Sequence, residues 1–258
     1  MDGGRIYSIC ITNYNSMSSV RESINSIYPL LLDSRFESIV IDNYSNDGSY
    51  EYLSDLFKQK IITSLSRLKC NRGTGRNQAF RNSTGNYIIA NIDMDVIYDH
   101  RKILNAIDEY HSRFEGKVLS VYGMMIMPRK VAGLLGGWKS LDRHEDNEIA
   151  LNAFSHNLHA QDLGINVIID HLNKNRDFLS RFKVRYLHYR DFMRIGFKLS
   201  DAGIGEVLKP EFMLAMIFYH FKPKYRYREF LEYFKIWKNQ QVYGEIAKNG
   251  SQAQEKVN

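Results

Sequence analysis

The sequence predicts an α/β protein in which a mainly parallel sheet is flanked by helices. Two observations predict this class. Short apolar runs rich in β-branched residues alternate with segments of helical periodicity through roughly the first hundred residues. A strand, a helix and a further strand in succession are typical of parallel sheets with covered faces. The chain has 258 residues and is 44% hydrophobic, which is enough for a packed core.

Each element follows from its apolar pattern. Short apolar runs predict strands over residues 6–12, 36–41, 61–65, 86–92, 118–127 and 165–169. Apolar residues that recur every three or four positions predict helices over residues 18–32, 50–58, 76–82, 101–114 and 145–163. Aromatic and basic residues mix in the segments 186–199 and 211–221, which belong to a predicted helical, basic C-terminal extension.

Charge divides the chain into two unequal parts. Residues 1–171 hold 18 basic against 20 acidic side chains, whereas residues 172–238 hold 15 against 7. We therefore predict a first domain over 1–171, a basic helical region over 172–248 and a disordered tail over 249–258. A surplus of positive charge in one region indicates an anionic partner there.

Other features of the sequence bear on localisation. No run of about 18 apolar residues is present, so no segment is expected to span a bilayer. The N-terminus does not resemble a signal peptide. Cys10 and Cys70 lack metal-like spacing, and such sparse cysteine usage fits a reducing compartment. We therefore predict a cytoplasmic protein.

Asp93 and Asp95 are the sharpest chemical signal in the sequence. They directly follow the apolar strand predicted over 86–92. Ligands of parallel sheets bind where the strands end, and Asn13 and Asp42 also follow predicted strands. Carboxylate oxygens suit Mg²⁺ or Mn²⁺. The sequence therefore predicts a metal site at this edge, with a solvated acidic turn as the alternative.

Two further segments point to a nucleotide. The carboxylate of Asp42 can accept a hydrogen bond from a nucleobase, although an Asx-turn is the alternative interpretation. Glycines alternate with other residues between Arg72 and Arg76, and glycine amides that open a helix can approach phosphate. This segment lacks the Lys-Ser/Thr ending of a P-loop.

A cluster of acids opens the helix predicted over 145–163. Neighbouring side chains on a helix point about 100° apart, so Asp146 and Glu148 should face nearly opposite ways. Glu145 and Glu148 share a face and are better placed to support local structure. A favourable interaction with the helix dipole is the alternative role for all three. Trp138 follows two glycines and could form an aromatic wall for a sugar ring.

The order of these motifs resembles the family 2 glycosyltransferases of the GT-A fold, over residues 5–171. The segments that carry the resemblance are ITNYN, IVIDNYSNDGS, NRGTGRNQAFRNSTGNYIIANIDMD and GGWKSLDRHEDNEIAL. His171 lies where such enzymes often place a late metal-binding histidine. Asn43 and Tyr44 replace the small residues that are more usual after Asp42, which puts the base and ribose contacts in doubt.

The resemblance implies inverting transfer of a sugar from a nucleotide-diphosphate donor to a hydroxyl of a glycan or lipid-linked acceptor. Asp93, Asp95 and His171 would hold Mn²⁺ or Mg²⁺, with His188 as the competing third ligand. Asp146 would be the general base, with Trp138 and Glu145 on the acceptor side. The implied donor-binding residues are Thr12, Tyr14, Asn15, Asp42, Gly73, Arg76, Asn77 and Asp93.

Two other functions remain open at the level of sequence. A sugar-phosphate nucleotidyltransferase needs a glycine-rich, basic first loop, but residues 13–19 contain no Gly, Lys or Arg. A non-catalytic module that binds sugar or nucleic acid is the alternative from a different class, although nucleic acid is the less expected partner.

The C-terminal region also carries a membrane hypothesis. Aromatic and basic residues together suit a membrane interface, and a core-packing helix is the alternative. We therefore predict peripheral binding to an anionic membrane surface on its cytoplasmic face. The residues concerned are Phe212, Met216, Phe218, Tyr219, Phe221, Lys222, Lys224, Arg226 and Arg228.

Overall fold

The computed structural model describes residues 7–172, 177–202, 204–219, 225, 227 and 229–235. A seven-stranded sheet in the order β3-β2-β1-β4-β7-β6-β8 forms its centre, and β5 pairs with β9 beside it. The strands are β1 Tyr7–Asn13, β2 Phe36–Asp42, β3 Ser64–Arg67, β4 Tyr87–Asp93, β5 Val96–Tyr98, β6 Val118–Tyr122, β7 Met124–Pro128, β8 His159–Asn166 and β9 Ile168–His171.

Helices cover the sheet. The helices are α1 Val20–Leu32, α2 Ser49–Lys58, α3 Arg72–Asn82, α4 His100–Glu109, α5 Arg129–Leu134, α6 Glu145–Ser155, α7 Phe178–Ile195, α8 Ile204–Val207 and α9 Pro210–Tyr219, and the described residues 230–235 are helical as well. A single π-helical turn, Tyr110–Phe114, continues α4. The predicted tail over 249–258 lies outside the described residues.

Parallel pairing at the centre of the sheet brings three strand ends together. β1 pairs in parallel with β2 and β4, and β2 pairs in parallel with β3. In this register Asn13 lies opposite Asp42, and Thr12 lies opposite Asp93. In the described part of the seven-stranded sheet, β7 pairs antiparallel with β4 and β6, and β5 pairs antiparallel with β9 in the smaller sheet. The predicted fold class, a mainly parallel sheet flanked by helices, is confirmed.

Some predicted boundaries are wrong. The strand predicted over 118–127 is a hairpin, because Gly123 adopts a positive φ of 95° and turns the chain between β6 and β7. The helix predicted over 145–163 ends at Ser155, and most of its second half forms β8. α3 starts at Arg72 instead of residue 76, because the side chain of Asn71 caps it by accepting from the Thr74 amide at 2.9 Å.

Both faces of the sheet are buried, as the continuous apolar runs predict. Side chains alternate between the faces along a strand. Accordingly, Ile9 and Ile11 pack in one apolar cluster with α1 and α4, whereas Cys10 packs in a second cluster on the opposite face. This second cluster also receives Phe192 of α7 and Phe212 of α9. The C-terminal helices are therefore built onto the core of the sheet.

Gly73 marks a close approach of two backbones. Its amide donates to the Leu141 carbonyl at 2.8 Å, and an added Cβ would lie 1.9 Å from the Lys139 carbonyl oxygen. Gly73→Ala should therefore destabilise the fold by about 1–3 kcal/mol, which urea unfolding measures. Gly133→Ala is the matched control, since nothing lies within 4 Å of its added Cβ. A Gly73→Ala variant as stable as Gly133→Ala would contradict the close packing.

Candidate active site

A cavity of about 520 Å³ opens at the edge where β1, β2 and β4 end. This volume lies in the usual range for small-molecule sites. Six stretches line it: the end of β1 with the loop after it, the end of β2, the region around the start of α3, the end of β4 with the turn after it, the loop before α6 and one face of α7. The lining residues are Thr12, Asn13, Tyr14, Asn15, Ser16, Ile41, Asn43, Cys70, Asn71, Arg72, Asp93, Met94, Asp95, Asp142, Arg143, Ser180, Lys183, Val184 and Leu187.

The predicted carboxylate pair lies in this cavity. Asp93 ends β4, Asp95 follows after one intervening residue, and both line the cavity wall. Their oxygens are chemically suited to a hard divalent cation, which in nucleotide sites is held by one or two carboxylates and by substrate phosphates. Among the residues that the structure describes, no group of three His, Cys, Asp or Glu side chains is assembled for a metal.

His171 lies close to the carboxylate pair along the backbone. It ends β9, where it pairs with Val96, and the next amide, of Leu172, donates to the Asp95 carbonyl at 2.8 Å. Its side chain is exposed. His188 instead packs on α7 against His144, with 2.9 Å between its Nδ1 and His144 Nε2. The backbone thus brings His171 next to Asp95, and its role as a ligand stays a prediction.

Arg76 is buried at the junction of the two acidic motifs. Its guanidinium donates to Asn91 at 3.0 Å, to Asp93 at 3.1 Å and to Glu145 at 3.1 Å, and its Nε lies 3.4 Å from Asp146 Oδ1. Burial opposes its charge, but the surrounding carboxylates outweigh that effect and raise its pKa. The sequence predicted that Arg76 lies near the diphosphate. In the structure its guanidinium instead pairs with the carboxylates of the two acidic motifs.

The pKa of the Asp146 carboxyl lies near neutral pH. Burial raises the pKa of its carboxyl to about 7, with Arg76 opposing the shift and Glu145 and Asp93 adding to it. Asp146 lines a second cavity of about 160 Å³, not the larger one. Polar side chains in this second cavity include Asn91, Ser120, Tyr122, Asn147 and Tyr233.

The other two acids of α6 face the interior. Glu148 is fully buried, and its Oε1 accepts a hydrogen bond from the Tyr227 hydroxyl. Burial raises the pKa of Glu148 to about 7. Glu145 is also buried and pairs with Arg76. The assignment of Glu145 to the acceptor side is therefore wrong, because its carboxylate is sealed against Arg76.

Trp138 is likewise an interior residue. It is 3% exposed and its ring lies 6.2 Å from that of Phe80 between centroids. An acceptor-side wall needs an accessible ring face, so this prediction is wrong. The glycines before it serve packing: an added Cβ on Gly137 would lie 2.1 Å from Asn77 Oδ1. Asn77 therefore lies next to this loop and is not among the residues that line the large cavity, so its donor role stays a prediction.

Two other predicted donor residues use their polar groups in hydrogen bonds within the protein. Asp42 is completely buried: its Oδ1 accepts from Asn13 at 2.7 Å, and its Oδ2 accepts from the Ser45 amide and from Arg67 at 3.1 Å. The Asp42 carboxylate thus has a local structural role, through the amide three residues on, and its contact with a nucleobase stays a prediction. Gly73 is buried, and its amide is used by the Leu141 carbonyl. Among the predicted donor residues, Thr12, Tyr14, Asn15 and Asp93 do line the large cavity.

Several polar and basic residues of the large cavity were not among the predicted site residues. Asn43, next to the buried Asp42, lines it, and its Oδ1 accepts from the Cys70 amide at 3.0 Å. Three basic side chains also line it, from Arg72, Arg143 and Lys183. The positions of Asn43, Arg72 and Arg143 next to recognised motifs were an available signal. For Lys183 only the positive charge of its region pointed to an anion.

A buried carboxylate on α7 holds the loop that carries Arg143. Asp191 Oδ2 accepts from the amides of Asp142 at 2.7 Å and Arg143 at 3.0 Å. Its Oδ1 accepts from Arg190 at 2.8 Å and Arg194 at 3.2 Å. The helix from the C-terminal region thus fixes the loop between Trp138 and α6 and contributes one wall of the large cavity.

The aromatic and basic cluster of the C-terminal region is only partly described. Phe212 is 1% exposed and belongs to the core, so its predicted place at a membrane interface is wrong. Met216 and Tyr219 also pack against the core, whereas Phe218 is exposed. Phe221, Lys222, Lys224, Arg226 and Arg228 lie outside the described residues. No helix in the described part of the chain is long and apolar enough to cross a membrane.

Similarity to known proteins agrees with this geometry. The chain is 39% identical over 84 residues to the uncharacterized glycosyltransferase YfnE of Bacillus subtilis (strain 168). That segment is 32% of this chain and 21% of the relative, so the match spans about a fifth of the relative's length.

Solved structures share the fold at low sequence identity. S. aureus TarS 1-349 in complex with UDP-GlcNAc is 15% identical, with a TM-score of 0.57, over 82% of this chain and 72% of that chain. The mannosyltransferase PcManGT from Pyrobaculum calidifontis, in complex with GDP-Man and Mn²⁺, is 18% identical, with a TM-score of 0.55, over 84% and 70%.

The family model supplies the identification. The model described as glycosyl transferase family 2 matches residues 8–153, which is more than half of the chain. The matched segment contains the three strand ends, the carboxylate pair and Asp146. The chain therefore belongs to glycosyl transferase family 2.

Proposed function

We propose that the protein is an inverting, metal-assisted glycosyltransferase that uses a nucleotide-diphosphate sugar in glycan or glycolipid synthesis. The observation that carries the proposal is the large cavity, whose lining combines Asp93 and Asp95 with three basic side chains. A nucleotide diphosphate offers a matching set of groups: an anionic diphosphate and a polar base and ribose. Two of the similar structures were solved with UDP-GlcNAc and with GDP-Man and Mn²⁺.

The donor is assigned by the polarity of the cavity wall. Thr12, Tyr14, Asn15 and Asn43 supply hydroxyl and amide groups near the ends of β1 and β2, where the base and ribose bind. Tyr14 is 59% exposed, so its ring is accessible for stacking on a base.

The diphosphate is assigned to the basic residues of the cavity lining. Arg72, Arg143 and Lys183 place positive charge there. Guanidinium groups pair with phosphate oxygens in a bidentate manner. This distribution leaves Asp93 and Asp95 as the residues that would hold Mn²⁺ or Mg²⁺ beside the diphosphate. The ion, when bound, neutralises the negative charge that grows on the departing diphosphate.

Asp146 is the proposed general base. Its raised pKa means that it can accept the proton of an acceptor hydroxyl near neutral pH. The acceptor oxygen attacks the anomeric carbon, the bond from that carbon to the diphosphate breaks, and the proton passes to Asp146. Arg76 contacts both Asp146 and Asp93, so this one guanidinium fixes the base relative to the carboxylate pair.

Thermal unfolding with nucleotides tests the proposal. UDP or GDP at about 100 times its dissociation constant should stabilise the fold by roughly 2.7 kcal/mol, and EDTA should abolish most of this gain. Release of nucleotide diphosphate from a panel that includes UDP-GlcNAc and GDP-mannose then separates an enzyme from a binding module. If neither nucleotide raises the Tm with Mn²⁺ present, the donor assignment is wrong.

We also predict that His171 supplies the third metal ligand. His171→Ala should raise the Mn²⁺ concentration needed for half-maximal activity by at least about tenfold. His188→Ala is the matched control, since His188 contacts His144 and packs near Phe192. It should lower thermal stability and leave the metal requirement unchanged. The reverse pattern would assign the third ligand to His188.

A further inference from the structure

Helix α9 is apolar on both of its faces. After Glu211 it contains no charged residue. Its inward face packs on the core through Phe212, Ala215, Met216 and Tyr219. Its outward face is exposed, up to 59% for Met213 and 58% for Ile217, and consists of Met213, Leu214, Ile217 and Phe218. A helix that is apolar all round is normally covered on every side, so the outward face of α9 requires a partner.

The start of α7 lies at the same end of the molecule as the end of α9. The ring of Tyr189 contacts Phe212 with 5.3 Å between centroids, and Tyr186 contacts Phe218 at 6.0 Å. The earlier residue of α7 thus contacts the later residue of α9, so the two helices run antiparallel. Residues 178 and 179, which begin α7, lie about two turns beyond Tyr186, whereas α9 ends one residue after Phe218.

Exposed apolar and basic side chains also lie together in the first turns of α7. Phe178 is 70% exposed and Leu179 is 75% exposed. Arg181 and Arg185 follow within two turns and are exposed as well, and Arg185 lies 3.5 Å from Glu211. Residues 172–238 as a whole carry eight more basic than acidic side chains. Apolar side chains flanked by positive charge match the interface of an anionic bilayer, where the rings and chains enter and the cations contact headgroups.

We propose that this surface docks the protein on an anionic lipid bilayer. The docking surface consists of Phe178, Leu179, Met213, Leu214, Ile217 and Phe218, with Arg181 and Arg185 beside them. A second copy of the chain fits less well, because a two-fold contact sets the same patch against itself and would oppose like charges.

Docking here bears directly on the large cavity. Ser180, Lys183, Val184 and Leu187 line that cavity at positions i, i+3, i+4 and i+7 of α7. The helix that begins in the docking surface therefore also forms a wall of the cavity. Docking would bring the cavity to the level of the headgroups, where a lipid-linked acceptor presents its sugar. The docking itself does not depend on the proposed transfer reaction.

Sedimentation with vesicles tests the proposal on the full chain. Wild-type protein should sediment with vesicles of phosphatidylglycerol and phosphatidylcholine in equal parts, and high salt should weaken the association. Vesicles of phosphatidylcholine alone should retain far less protein. The double variant Met213→Ser/Ile217→Ser should lose at least about tenfold in partitioning to vesicles, because it removes several apolar groups that would be buried in the bilayer.

Matched controls exclude a general effect of surface substitution. Leu32 and Leu134 are 61% and 71% exposed on other helices, so Leu32→Ser/Leu134→Ser should bind vesicles normally. Arg181→Gln should weaken binding about fivefold, which corresponds to about 1 kcal/mol for a basic residue at an anionic surface. Arg101→Gln on α4 should have no effect. The Tm gain from nucleotide and Mn²⁺ should be the same in all variants. This measurement therefore separates a failure of the donor assignment from a failure of the docking surface.

Two results would overturn the docking surface. One is absence of wild-type sedimentation with anionic vesicles at low salt, which needs no variant. The other is a dimer, detected by light scattering, that Met213→Ser/Ile217→Ser dissociates while vesicle binding is absent. That second result would assign the outward face of α9 to another copy of the chain.

Discussion

Asp146→Asn is expected to slow sugar transfer by about 10²–10⁴-fold while donor affinity stays nearly unchanged. Asparagine keeps the shape of the side chain but cannot accept a proton. The wild-type pKa is raised to about 7, so the carboxylate is protonated below that pH. Wild-type kcat/KM should therefore fall about tenfold per pH unit below pH 7, and the variant should lose this dependence. Initial rates across pH and nucleotide binding measure the two effects separately.

Glu148→Gln is the control for this prediction. Glu148 also has a pKa raised to about 7, but its carboxylate is buried beneath Tyr227. Titration of Glu148 can affect stability, whereas proton transfer needs an accessible group. A larger loss of transfer in Glu148→Gln than in Asp146→Asn would show that the base is the other carboxylate.

Asp95→Asn should reduce transfer by about 10²–10³-fold, because it removes one of two negative charges available to the metal. The fold should survive, since the Asp95 side chain is only partly buried and its backbone carbonyl makes the contact to Leu172. Transfer rates at several Mn²⁺ concentrations and a thermal unfolding curve measure the two outcomes.

Asp55→Asn is the matched surface control for Asp95. Asp55 is exposed and pairs only across the surface of α2 with Lys58, so both rate and stability should remain close to wild type. Full wild-type transfer in excess EDTA would remove the metal from the proposal, whatever the variants show.

The sequence predicts the sheet well because its signals are local. A β-branched apolar run such as the one ending at Thr12 predicts a buried strand, and the alternation of strands and helices predicts parallel pairing. Helix boundaries were predicted less well. The acids at residues 145–148 correctly predicted the start of a helix, but its end at Ser155 depends on the pairing of β8 with β6, a long-range contact. No local pattern encodes that pairing.

The site was predicted to the level of its strand ends but not of its individual side chains. Asp93 and Asp95 line the cavity as expected, whereas Asp42 one strand away is buried. The difference arises from neighbours: Asn13 and Arg67 bind the Asp42 carboxylate from sequence-distant positions. The predicted acceptor-side roles of Trp138 and Glu145 were wrong for the same reason, since Phe80 packs against Trp138 and Arg76 pairs with Glu145. A motif fixes the location of a residue, but its partners decide whether a ligand can reach it.

The contacts of Asp191 have a consequence for how this enzyme can be recombined with its relatives. The family match ends at residue 153, yet the loop before α6 donates two hydrogen bonds to the side chain of Asp191. Asp191 lies 38 positions beyond the end of the match. A chimaera that joins the matched segment to another C-terminal region would inherit Arg143 without its anchor. The loop and α7 therefore form one exchangeable module, and successful grafts must transfer both together.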